Sequence, residues 1–155
     1  MTYAINGLSP ELFDRYRGLD DAALAGLSAR RLLATAKPGF PCRVSLEDAD
    51  EGEPMILLHH VSHDVATPYR SAYAIFIREA ATIAARYRDT LPPAFANRPL
   101  AMRAFSSDGM LTSARLALPG QAEATILELL ADRSIDYIDV HNAAHGCFAA
   151  RVERG

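Results

Sequence analysis

Two rhythms of apolar and polar residues run along this chain, and the changes between them mark out its elements. Ser9-Pro10-Glu11 supplies an N-cap hydroxyl, a proline at the first helical position and an acid near the positive dipole end. A helix is predicted there, with Leu12, Phe13 and Tyr16 on one face. Asp20 predicts the cap of a second, short helix carrying Leu24 and Leu27. From Ala29 the rhythm shifts towards strands. Arg31 to Ala36 reads as a strand ended by Lys37-Pro38-Gly39, and Met55 to Val61 as a buried strand behind Glu51-Gly52-Glu53-Pro54. Tyr73 to Arg78 is a third, leading into an alanine-rich helix expected from about Glu79 to Tyr87, before Pro92 and Pro93 break the chain.

The second half is more sharply punctuated. Leu100 to Phe105 and Met110 to Leu118 flank Ser106-Ser107-Asp108-Gly109, a hairpin with an Asp-Gly turn. After Pro119-Gly120, a helix uses Ile126, Leu127, Leu129 and Leu130. Ile135 to His141 and Cys147 to Glu153 read as paired strands joined through His145-Gly146. Strands joined mostly by hairpins, with helices between groups, predict one α+β domain over residues 1–155, a largely antiparallel sheet with two or more packed helices. A glycine-rich phosphate loop is missing from the sequence.

At 155 residues the chain matches one ordinary domain, able to bury roughly 70% of its unfolded surface. Half of it is apolar, so no disulfide or metal staple is required. The net charge of −3 and the lack of a basic face argue against nucleic acid. No apolar stretch approaches a membrane span, and the N-terminus lacks a signal peptide's pattern. A cytoplasmic location is expected, where Cys42 and Cys147 would remain reduced.

Every imidazole and thiol falls in two windows. Cys42, His59, His60 and His63 lie in the first; His141, His145 and Cys147 lie in the second. His59 and His63 are four apart, which on a strand separates them by about 13 Å, and His59 and His60 point to opposite faces. No Cys-x-x-Cys or His-x-His anchors a site, so neither metal nor cofactor is expected.

Pro38 and Pro41 stiffen the segment holding Cys42 and Arg43, and a thiol near a guanidinium is a more reactive thiol. As an alternative, Cys42 is a small buried hydrophobe. On the strand ending at His141, alternation puts Tyr137, Asp139 and His141 on one face and Ile138 and Val140 on the core face. Asp139 could orient the imidazole if the side chains bend, since neighbours along one face sit about 7 Å apart. Asn142 and the loop through Gly146 could donate to a ligand, or simply close the turn. Cys42 with His141, or Cys147 with His141, are the pairs that could form a thiol–imidazole unit. Two of Arg43, Arg70, Arg78 and Arg103, if they converge, would make a fork for a carboxylate or phosphate. Otherwise they pair internally with Glu47, Asp48 or Glu79.

Four segments together carry a resemblance: Pro38-Gly39-Phe40-Pro41-Cys42-Arg43-Val44-Ser45-Leu46; Pro68-Tyr69-Arg70 running on to Ile75-Phe76-Ile77-Arg78-Glu79; Arg103-Ala104-Phe105 with Asp108-Gly109-Met110; and His141-Asn142-Ala143 with Gly146-Cys147. In this order and spacing they resemble a bacterial family known as domain of unknown function 1203. A departure is Tyr73-Ala74, where the pattern has Gly-Pro before the apolar pair. The resemblance implies a family and no reaction.

Two functional expectations follow. One is a small-molecule site, with or without catalysis, built by the Cys42-Arg43 loop and the His141–Cys147 hairpin. There Cys42 or Cys147 would be the thiol, His141 the base, Arg43 or Arg103 the anion clamp, and Asn142 a donor. The alternative is a non-catalytic binding or assembly domain, whose loops pack the core or form a homodimer interface.

Overall fold

The computed structural model describes residues 1–155 as one α+β fold in which every strand pairs antiparallel. The strands are β1 (Tyr3–Asn6), β2 (Arg30–Leu33), β3 (Pro54–His63), β4 (Ser71–Arg78), β5 (Arg86–Arg88), β6 (Leu100–Phe105), β7 (Leu111–Ala117), β8 (Tyr137–Asn142) and β9 (Phe148–Arg154). The helices are α1 (Asp21–Gly26) and α2 (Ala122–Ala131), with 3-10 turns at Pro10–Tyr16 and Pro93–Phe95. A six-stranded sheet runs β5-β1-β9-β8-β6-β7, and a three-stranded sheet runs β2-β3-β4.

Each sheet has its own core. Helix α2 presents Ile126, Leu129 and Leu130, at i, i+3 and i+4, to Leu100, Met102, Ile138, Val140 and Val152 of the large sheet. Arg154 caps the far end of this helix by donating to the carbonyls of Leu130 and Asp132, both at 2.8 Å. The small sheet packs Met55, Ile56, Leu58, Ile75 and Ile77 against Phe13, Leu24 and Val44. The two sheets meet where His63 bridges the Tyr69 carbonyl at 2.8 Å and the Tyr137 hydroxyl at 2.7 Å, its ring tilted against Phe105. No helix is long and apolar enough to cross a membrane.

The expected hairpins form. β6 and β7 flank the Asp-Gly turn, with Gly109 at φ +80°, and β8 pairs with β9. The first expected helix is a 3-10 turn, whose tighter period stacks Phe13 over Tyr16 and leaves Leu12 56% exposed. The helix expected over 79–87 does not form. Arg17 donates to the carbonyls of Glu79 and Ala81, at 2.5 and 2.7 Å, and so takes acceptors that a helix would need. The end of that segment becomes β5 and pairs with β1, a strand whose signal was the alternation of Tyr3 and Ile5 at the N-terminus.

Candidate functional site

The Pro38–Leu46 segment lies between the two sheets and touches both. Pro41 bridges Asp48, and Cys42 bridges Phe76 of β4. The Arg43 carbonyl accepts the Leu8 N–H at 2.8 Å, and the Arg43 N–H donates to the Phe76 carbonyl at 3.1 Å. Gly7 allows the close approach of β1 to this segment, since a Cβ there would lie 1.9 Å from the Val44 carbonyl oxygen. Asp48 accepts from the Gly39 N–H at 3.0 Å and from the Arg98 guanidinium at 2.9 Å. Burial alone would raise the Asp48 carboxyl, but the Arg98 bond, the Gly39 N–H and the guanidinium charge together hold it below its ordinary value.

Arg43 is 2% exposed and stands among the largest fully buried side chains. Its Nε donates to the Phe148 carbonyl at 2.7 Å, Nη1 to the Pro41 carbonyl, and Nη2 to Cys147 Sγ at 3.0 Å. No carboxylate lies within ion-pair distance of it, unlike Arg31, Arg78, Arg98 and Arg151. Burial pushes the guanidinium below its ordinary value, opposed by the charges Cys147 and Cys42 can carry. Arg43 therefore ties the loop to the β8–β9 hairpin and ends on a sulfur.

Asn142 Nδ2 reaches the same sulfur at 3.4 Å, and its Oδ1 is buried without a partner. These residues line a cavity of about 250 Å³ together with Gly39, Arg98 and His145. That volume lies under the usual range for drug-sized ligands, so the cavity suits a molecule of few heavy atoms. The loop and the hairpin, apart in sequence, thus form one wall.

The other sequence candidates fall elsewhere. Cys42 is 1% exposed, and its Sγ accepts backbone N–H groups from Arg78 at 3.2 Å and from Val44 and Ser45 at 3.4 Å. It sits in the small-sheet core rather than on the cavity wall. His141 and Asn142 are consecutive on β8 and so project to opposite faces. His141 joins Arg103 in a separate cleft between the sheets. Neither thiol–imidazole pair forms.

Asp139 does not orient His141 either. Its carboxylate accepts from Arg151 Nε at 2.7 Å and Nη2 at 3.1 Å, while His141 Nδ1 donates to the Gly146 carbonyl at 2.9 Å. Of the expected internal ion pairs, Arg78 takes Glu47 and also Glu53, whereas Asp48 pairs with Arg98 and Glu79 with Arg31. Arg98 and His145 are the ionisable cavity residues that sequence reasoning did not single out as site residues. His145 lay in a named window, but Arg98 carried no local signal. No group of three or more His, Cys, Asp or Glu gathers closely enough to hold a metal ion.

A family model described as a protein of unknown function, DUF1203, matches residues 39–154. The search of curated proteins and the search of solved structures each returned no match.

Proposed function

The chain belongs to the DUF1203 family, and from that premise, which carries no reaction with it, we propose that it binds a small anionic molecule in the cavity walled by the Arg43 loop and the β8–β9 hairpin. Cys147 is the thiol that faces the ligand, Arg43 holds negative charge beside it, and Asn142 supplies an amide.

The observation that carries this reading is a buried guanidinium with no carboxylate partner, whose outermost bond ends on Cys147. Buried charges are ordinarily paired. Here no carboxylate reaches Arg43, unlike Arg31, Arg78, Arg98 and Arg151, so a bound anion would complete the pairing. A guanidinium and an amide aimed at one sulfur would also hold negative charge developing on it. With His141 in another cleft, no general base reaches Cys147 from β8, and His145 is the imidazole on this wall. Binding is accordingly favoured over a Cys147–His141 mechanism. The cavity's thiol would be kept reduced in a cytoplasmic setting.

Alkylation of the folded protein, read by peptide mass spectrometry, tests the proposal. Cys147 reacts while Cys42 does not, and iodoacetate gains on iodoacetamide relative to their ratio with glutathione. Arg43→Met abolishes that gain. A ratio equal to glutathione's in the parent protein contradicts anion capture.

A second reading gives the loop and hairpin a packing or assembly role. It draws on Arg43 joining the Pro41 and Phe148 carbonyls across the two layers. That reading predicts a lowered melting temperature in Arg43→Met with no reagent preference at Cys147 in the parent protein.

A further inference from the structure

On the opposite side of β8 from the Cys147 cavity, a second cleft of about 320 Å³ opens between the sheets, lined among others by Ser62, Arg70, Ser71, Tyr73, Arg103 and His141. Its wall contains two guanidiniums and an imidazole and no carboxylate. Arg103 is half-buried in the middle of β6, on the face turned towards the small sheet. It stands in register with Asp139 on β8, which in turn stands in register with Arg151 on β9. Arg151 takes both Asp139 oxygens, at 2.7 and 3.1 Å. The row thus holds two guanidiniums and one carboxylate, and Arg103 is left with no hydrogen bond or ion pair to protein. Arg70 uses its Nε on the exposed Asp64 at 3.0 Å and keeps its outer nitrogens free. A carbonyl can only accept, so the contact with Gly146 puts the His141 proton on Nδ1. Nε2 is left without a protein partner.

We infer that this inter-sheet cleft is a site for a doubly charged tetrahedral oxyanion, a phosphoryl or sulfate group, held by Arg103, Arg70 and His141. Guanidiniums recognise such groups through paired N–H donors, and two of them with a protonatable imidazole suit a dianion better than a monoanion.

The site is linked to pH through His141. Burial holds its imidazole below the ordinary value; the Gly146 bond opposes this, Arg103 and Arg43 add to it, and Asp139 opposes it. Arg70 and Tyr73 face the same cleft from the small sheet, and Arg151 neutralises Asp139 from β9. Free protein therefore carries neutral His141 at neutral pH. A dianion reverses the local field, so the complex takes up a proton and binding strengthens as pH falls.

Sulfate is the probe, because its charge does not change between mildly acidic and mildly alkaline pH. Sodium sulfate is titrated at constant ionic strength, and histidine ring and arginine Nε resonances are followed by ¹H–¹⁵N NMR. The expected result is saturable shifts at His141 and Arg103, with affinity about tenfold higher at pH 6 than at pH 8. Arg103→Gln weakens binding at least about tenfold. Arg70→Gln, on an exposed loop, weakens it by a smaller factor and serves if the Arg103 variant does not fold. Arg43 Nε, which already donates to the Phe148 carbonyl, should show no saturable sulfate shift in the same titration, which separates this site from the Cys147 cavity. Shifts that never saturate, affinity unchanged in Arg70→Gln and Arg103→Gln, or affinity equal at the two pH values overturn the inference.

Discussion

Replacing Arg43 by methionine should be the most damaging single change at the loop–hairpin junction. The substitution keeps the length of the stem and removes donors to the Phe148 carbonyl, the Pro41 carbonyl and Cys147 Sγ. Hydrogen bonds from a charged group contribute roughly 1.5–3 kcal/mol each. Against their sum stands the desolvation of a guanidinium only 2% exposed, of the order of several kcal/mol and relieved in the variant. The net loss is about 2–4 kcal/mol. A domain of this size loses roughly 2–4 °C of melting temperature per kcal/mol, so a fall on the order of 10 °C is expected. Thermal and urea unfolding followed by circular dichroism measure it. Arg43→Lys should recover little, since one ammonium cannot span the positions of Nε and both Nη atoms. A melting temperature for Arg43→Met within about 1 °C of the parent would refute the view that Arg43 joins the two layers.

Four further outcomes follow from local geometry. Gly7→Ala puts a Cβ 1.9 Å from the Val44 carbonyl oxygen, so backbone must move and stability should fall by about 2 kcal/mol or more in urea unfolding. Gly26→Ala meets nothing within 4 Å and should instead be neutral or stabilising by up to about 1 kcal/mol in the same assay. The imidazoles of His141 and His60 are held below 6.5, mainly by burial, so the unfolded chain protonates first and stability declines as pH falls through 6.5; His141→Asn should flatten that decline in chemical denaturation at pH 5 to 8. Tyr3, buried and donating to Glu123 at 3.0 Å, is pushed up to about 12, so Tyr3→Phe should remove the latest-ionising phenol from an alkaline ultraviolet titration of the folded protein.

Local chemistry made the hairpins legible. Asp108-Gly109 supplies a left-handed turn residue, and the alternation of Ile138 and Val140 against Tyr137 and Asp139 sets the faces of β8. The loop and the hairpin that the sequence marked as distinctive do share a cavity wall. Which side chains meet there followed partly from pattern and partly from contacts that pattern does not hold. Alternation puts His141 and Asn142 on opposite faces, so the imidazole leaves the thiol even though the two are close in sequence. The register shift between Val140 and His141 adjusts the hairpin further. Arg17 reaches more than sixty residues along the chain to the Glu79 carbonyl, and no local periodicity reports that it will displace a helix. The ion pairs Arg98–Asp48 and Arg31–Glu79 are likewise products of topology rather than spacing.

Protection of Cys147 by an unreactive anion tests most directly whether the cavity holds negative charge against Arg43. Acetate and acetamide, equal in shape and different in charge, compete against alkylation of the folded protein by neutral iodoacetamide at constant ionic strength. Acetate should slow labelling of Cys147 saturably, acetamide should not, and Arg43→Met should erase the difference. Equal behaviour of acetate and acetamide in the parent protein, or acetate protection that persists undiminished in Arg43→Met, would contradict the account.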